Sequence, residues 1–125
     1  MIADTIFLVH LLAEQRSELR GPASIFLANN RNAVRTSIIS LAEIAGSFPT
    51  AELAWEYFRA SRWSVYRLHD GVAKAAADLD RELRSRGRLG EKDNWIAGFC
   101  RYYREPIISL DRAFDRVPGL RRVTY

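Results

Sequence analysis

Two hydrophobic rhythms alternate along this chain. Short apolar runs of strand length are Met1 to Asp4, "AVRTS" ending at Ser37, "WSVYRL", "PIIS" and "LRRVTY". Between them lie stretches with the three-to-four-residue spacing of a helix with one buried face. Thr5 to Ala13 has it. "GPASIFLANN" has it too, with Pro22 at the start, where a proline costs a helix nothing. "IISLAEIAGSF" places Ile38, Leu41, Ala42 and Ala45 on one predicted face. "TAELAWEYFRAS" begins at Thr50 as N-cap and lines up Leu53, Ala54, Tyr57 and Phe58. Asp70 is expected to cap a long helix with the stripe Val72, Ala76, Leu79 and Leu83, ending near Gly87. Glu91 to Tyr103 is expected to bury Ile96, Phe99, Cys100 and Tyr103. "RAFDR" reads as a single helical turn. Strands alternating with helices predict an α/β domain, a parallel sheet with helices on both faces.

At 125 residues the chain fits one domain, residues 1–125, and a 48% hydrophobic content supplies a core without disulfide staples. The single Cys100 has no internal partner for a bridge, and the apolar run from Ile6 to Ala13 is too short to span a bilayer. The expectation is a soluble cytoplasmic protein with no membrane partner. The net charge is +4 and the pI about 9.6. Lys74 and Lys92 are the only lysines, so the positive charge is almost all arginine, whose planar fork suits phosphate; yet the arginines are scattered and form no basic tract.

Four acids stand where the apolar patterns do not call for them: Asp4 after the first strand, Glu43 one turn into the helix that follows the second, Asp93 at the start of "DNWIAGF", and Asp111 after "PIIS". Singly, each has a structural reading: Asp4 and Asp111 as helix caps, Asp93 as complement to a helix dipole, Glu43 as a solvated position. Together they fall on one predicted edge, because in a parallel α/β sheet strand carboxyl ends and helix N-termini share the edge at which ligands bind. Asp70 is expected on that edge as well. Crowded carboxylates repel, and a hard divalent cation, Mg²⁺ or Mn²⁺, relieves the repulsion.

The segments "MIADTIFL", "TSIISLAEIAG", "LGEKDNWIAGF" and "IISLDRAFDRVPGLRRVTY", in that order and spacing, resemble the PIN domain and within it the VapC-type toxins of prokaryotic toxin–antitoxin pairs. The resemblance covers nearly the whole chain. It implies a three-layer α/β/α fold, PIN-like, with a parallel five-stranded sheet of order 3-2-1-4-5, and the activity of a metal-dependent endoribonuclease using Mg²⁺ or Mn²⁺. Asp4, Glu43, Asp93 and Asp111 match the family's acidic positions. Thr5, Ser37 and Ser109 match its hydroxyl positions, and Asn94 joins them as an outer-shell candidate. Arg88, Lys92 and Arg112 are candidates for holding RNA phosphates, with ordinary surface charge as the alternative. The implied partners are RNA, a cognate antitoxin protein and a second copy in a homodimer. One departure is that Ala113 stands where many relatives carry another acid before the phenylalanine.

Other chemistries fit less well. Ile6 occupies the position where a phosphoaspartate hydrolase needs a second acid, and "DTIFL" lacks the glycines of a nucleotide-binding loop. His10 and His69 read as structural, with no His or Cys cluster for zinc. Trp55 falls off its helix's apolar stripe and is expected at the surface. The competing reading is a PIN-fold interaction module without useful nuclease activity, for which the residue at Ala113 is the argument.

Overall fold

The computed structural model describes residues 1–125. Its elements are β1 (Ile2–Ala3), α1 (Thr5–Arg16), α2 (Pro22–Asn30), β2 (Arg35–Ser37), α3 (Ile38–Ala45), α4 (Ala51–Ala60), β3 (Val65–Tyr66), α5 (Asp70–Glu82), α6 (Glu91–Tyr103), β4 (Ile107–Ile108) and β5 (Arg122–Val123). The strands form one parallel sheet in the order β3-β2-β1-β4-β5, with Ile2 opposite both Arg35 and Ile107. The expected order 3-2-1-4-5 is the one found.

Successive strand residues point to opposite faces, and this splits the core in two. Ile2 and Ile107 pack with Val72, Leu79, Leu83, Ile96, Phe99 and Phe114 under α5 and α6. Ala3 and Ile108 pack with Phe7, Leu8, Leu11, Leu41, Ile44 and Phe58 under α1 to α4. The strands pair over only two or three residues, shorter than their apolar runs, so the helical layers carry most of the burial.

Several helix faces differ from the pattern. In α3 the buried residues are Ser40, Leu41 and Ile44, and Ala42 is exposed, because Ser37 caps the helix directly off β2 and turns the inward face round from Ala42 and Ala45. In α4 Leu53 is exposed while Ala54 and Phe58 are buried. Trp55 is 39% exposed, as expected. Tyr103 is only half-buried and stacks on Tyr66 at the rim, with ring centres 3.8 Å apart.

Asp70 does not cap α5. His69 does, its Nδ1 accepting from the Gly71 N–H at 3.1 Å, while its Nε2 pairs with the Tyr103 hydroxyl at 3.0 Å. Gly71 lies so close under the Tyr102 ring that a Cβ there would meet it at 2.3 Å. The start of α5 therefore sits against the last turn of α6, at the far end from Asp93, and Asp70 is not among the acids of the carboxyl edge.

Candidate active site

Asp4 follows β1, and its N–H donates to the Ile108 carbonyl at 3.1 Å, placing it beside the end of β4. Here the strand order reverses, the position at which open α/β sheets bind ligands. The residue is 3% exposed. Its Oδ1 accepts from the Phe7 N–H at 2.7 Å and caps α1, so the capping role is real. Burial pushes the Asp4 carboxyl above the usual carboxylate range; the Ser109 hydroxyl and the Phe7 N–H pull it back, and Asp93 and Asp111 push it up again.

Asp93 lies in the first turn of α6, half-buried. Burial pushes its carboxyl above the usual carboxylate range, and the charges of Asp111 and Glu43 push it further. Asp111 is exposed on the 3₁₀ turn Arg112–Arg116, which it caps by accepting from the Ala113 N–H at 2.8 Å. Its own N–H donates to Ser109 Oγ at 3.0 Å. Glu43 reaches back from α3, and its Oε1 accepts from the Thr5 hydroxyl at 2.9 Å. Four acids from four separate segments thus act on one another electrostatically at the carboxyl edge.

Among the hydroxyl residues, Thr5 holds Glu43, and Ser109 braces both Asp4 and the Asp111 backbone. Ser37 is buried and spends its oxygen on capping α3, accepting from the Ser40 N–H at 3.2 Å. Asn94 turns away from the acids: its Nδ2 donates to the Ala76 carbonyl at 2.9 Å, tying α6 to α5. Arg88 also faces elsewhere, 3.5 Å from Asp80. Lys92 is at the edge, with Nζ 3.8 Å from Glu43 Oε2, and Arg112 is exposed beside Asp111.

Two features escaped the sequence reading. Arg122 grips Asp115 with Nε and Nη2 at 2.8 and 3.0 Å and holds it below the usual carboxylate range, so Asp115 is committed to an ion pair and does not replace the acid missing at Ala113. Tyr125 packs edge-on against Phe7 and bonds His10 Nδ1 at 2.8 Å, beside the start of α1. No local signal links Arg122 to Asp115 or Tyr125 to His10; both pairs are made by the fold.

The four acids offer only oxygen donors, with Lys92 as the single cationic side chain in contact with any of them. That donor set and its mutual repulsion suit a hard divalent cation. As they stand, no three Asp, Glu, His or Cys side chains are near enough together to grip one ion directly. One crevice of about 400 Å³ is lined by Arg101, Arg104 and Arg121 beyond the opposite end of β4, and one of about 340 Å³, lined by Glu43, Lys92 and Trp95, lies beside the acidic edge.

The fold is shared with solved toxin–antitoxin structures. VapBC2 from Rickettsia felis, bound to a promoter DNA fragment, has a chain that superposes with a TM-score of 0.81 at 17% identity, covering 99% of this chain and 97% of that one. DNA-bound VapBC from Salmonella typhimurium gives 0.73 at 23% identity, over 98% and 96% of the two chains. VapBC-1 from nontypeable Haemophilus influenzae gives 0.69 at 20%, over 98% and 96%. No curated protein matches the sequence. The family model of the PIN domain matches residues 1–120, which span Asp4, Glu43, Asp93, Asp111 and the first four of the five strands, and this chain belongs to the PIN domain family.

Proposed function

We propose that this chain is a divalent-metal-dependent endoribonuclease, the toxin of a VapBC-type toxin–antitoxin pair. The observation that carries the reading is the meeting of Asp4, Asp93, Asp111 and Glu43 at the switch point of the sheet, where Asp4 and Asp93 are pushed toward protonation by burial and by each other's neighbours. Keeping such charges together without a cation is costly.

Mg²⁺ or Mn²⁺ at these acids would polarise a phosphodiester and activate water. Asp4 and Asp111 would be its central ligands, and Asp93 and Glu43 would complete the set directly or through water. Ser109 and the Phe7 N–H fix the Asp4 carboxylate, and Thr5 fixes Glu43, so the acids hold their places before RNA arrives. Arg112, exposed beside Asp111, would hold an RNA phosphate there. Partners are RNA, a cognate antitoxin protein like those in the VapBC assemblies, and a second copy in a homodimer. The compartment is the cytoplasm; no helix here is long and apolar enough to cross a membrane.

The second reading, a PIN-fold interaction module, is favoured by the absence of a third direct chelator and by Ala113 with Asp115 locked to Arg122. One experiment separates them. Single-stranded RNA is incubated with the chain in Mg²⁺, Mn²⁺ or EDTA, beside Asp4→Asn and Asp111→Asn. The nuclease reading expects cleavage that EDTA stops and that each substitution lowers by roughly 100-fold or more. Equal cleavage by parent and variants, or none with either metal, leaves the interaction module.

A further inference from the structure

We propose that Trp95 is a base-stacking residue: an unpaired nucleobase of the RNA strand, close to the phosphate at the acids, seats against its indole. The proposal rests on the nuclease reading and adds which form of RNA that site accepts.

The large aromatic side chains of this fold are mostly spent on its cores. Phe7, Phe58, Phe99 and Phe114 are buried. Trp63 packs against the core under α1 to α4, its ring centre 5.7 Å from that of Phe58. Trp95 is used differently. It is half-buried on α6, yet it packs against neither core. No other aromatic ring pairs with it, and no guanidinium lies over it. Instead it lines two crevices. One, of about 340 Å³, it shares with Glu43 and Lys92 beside the acidic edge. The other, of about 410 Å³, lies between α5 and α6 and is shared with Asp80 and Arg88. The indole is thus a wall between two openings, each in the size range of a small-ligand cleft.

Its place on α6 joins it to the acids. Trp95 is two residues beyond Asp93, and Lys92 precedes it by nearly one turn and so shares its face. A strand whose phosphate meets Asp93 runs past this first turn and brings a neighbouring base to the indole. Every base has a π-face, so such stacking tolerates any sequence. It does not tolerate pairing. Unpaired bases splay out onto aromatic rings, whereas bases inside a duplex are stacked on each other and present only their edges. Trp95 therefore selects single strands, loops and bulges over paired RNA.

The test uses the whole chain beside Trp95→Leu, which keeps apolar bulk without a ring, Trp95→Phe, which keeps a ring, and Trp55→Leu as control. Thermal melts confirm folding. Binding of an end-labelled single-stranded RNA, and of the same RNA annealed to its complement, is followed by fluorescence anisotropy in EDTA and again in Ca²⁺. Trp95→Leu is expected to bind the single strand roughly 10-fold more weakly, with Trp95→Phe and Trp55→Leu near the parent and the duplex equally weak for all. The single strand should also quench the tryptophan fluorescence of the parent, and Trp95→Phe should lose that quenching, a readout that stands even if Trp95→Leu fails to fold. Single-strand binding and quenching that do not depend on Trp95 overturn the proposal and leave this surface to a protein partner. A Trp95-dependent loss that is equal for duplex and single strand overturns it too. A parent that binds single strands through Trp95 yet cuts no RNA in Mg²⁺ or Mn²⁺ overturns the nuclease reading and leaves the stacking site standing.

Discussion

Two demands meet in the carboxylate of Asp4. One oxygen caps α1, and the charge itself is buried among other acids. Substitution separates them. Asparagine caps a helix about as well as aspartate and carries no charge, whereas alanine loses the cap at a cost of about 1 kcal/mol. Without metal, Asp4→Asn is expected to melt at or above the parent and Asp4→Ala below it. The sign of the pH effect follows. A carboxyl raised on folding holds its proton more tightly in the folded chain, so the stability linked to it is greatest below the unfolded value and falls as pH rises through the folded one. The advantage of Asp4→Asn over the parent should therefore grow from about pH 4 to about pH 7, read as the difference in urea midpoints. A constant difference would mean that the charge of Asp4 is not what burial penalises. The sequence exposed this conflict, since an acid beside a strand's apolar run is conspicuous. It did not show that Asp115 is held by Arg122, or that Asn94 turns to Ala76, because both depend on partners brought in by the fold.

Among the elements, the helices are placed by specific contacts that periodicity cannot reveal. Glu14 on α1 accepts from the N–H groups of Ala23 and Ser24 at 3.0 and 2.7 Å and so caps α2 from outside, where Gly21 supplies no side chain. Burial pushes Glu14 up, but the hydroxyl and N–H of Ser24 and the N–H groups of Ala23 and Gly21 outweigh it and leave it below the usual range. Its contribution is present above the unfolded value and lost as pH falls through the folded one. Glu14→Ala should cost about 1 kcal/mol near neutrality and much less in acid, measured by denaturant melts. A second contact joins α5 and α6: a Cβ on Gly98 would come 2.7 Å from the Ala76 Cβ and 3.1 Å from its backbone. Gly98→Val is expected to cost about 1–3 kcal/mol by overpacking, partly recovered by Ala76→Gly in a double-mutant cycle. Full additivity would show that the two helices do not bear on each other there. Helix existence was legible from apolar spacing; the buried face of α3 was not, because a capping serine directly after β2 sets its phase.

For the whole molecule, an ion at the acids that binds only the folded chain stabilises it by linkage. Saturating Mg²⁺ should raise the melting temperature of the parent, with a gain approaching 3 kcal/mol at about a hundred-fold excess over the dissociation constant. Asp111→Asn should gain less. Equal gains would place the ion elsewhere. The parallel sheet with helices on both faces was legible from alternating strands and helices. Its strand order came with the resemblance to a family, since two-residue strands carry too little pattern to specify their neighbours.

That strand order has a consequence for how the protein is born. β4 inserts beside β1 only after 103 residues separating Ala3 from Ile107 have been made, and Asp111 comes later still. On a ribosome that releases the chain from its N-terminus, β1, β2 and β3 can pair early, but Ile2 waits uncovered and Asp4 has no Ser109 or Asp111 opposite it. The acidic edge is thus not assembled until β4 and Asp111 have been made. A fragment ending before β4, produced in vitro on stalled ribosomes, is expected to show no metal-dependent cleavage, and the proposed toxin spares the RNA from which it is being read until β4 and Asp111 have emerged.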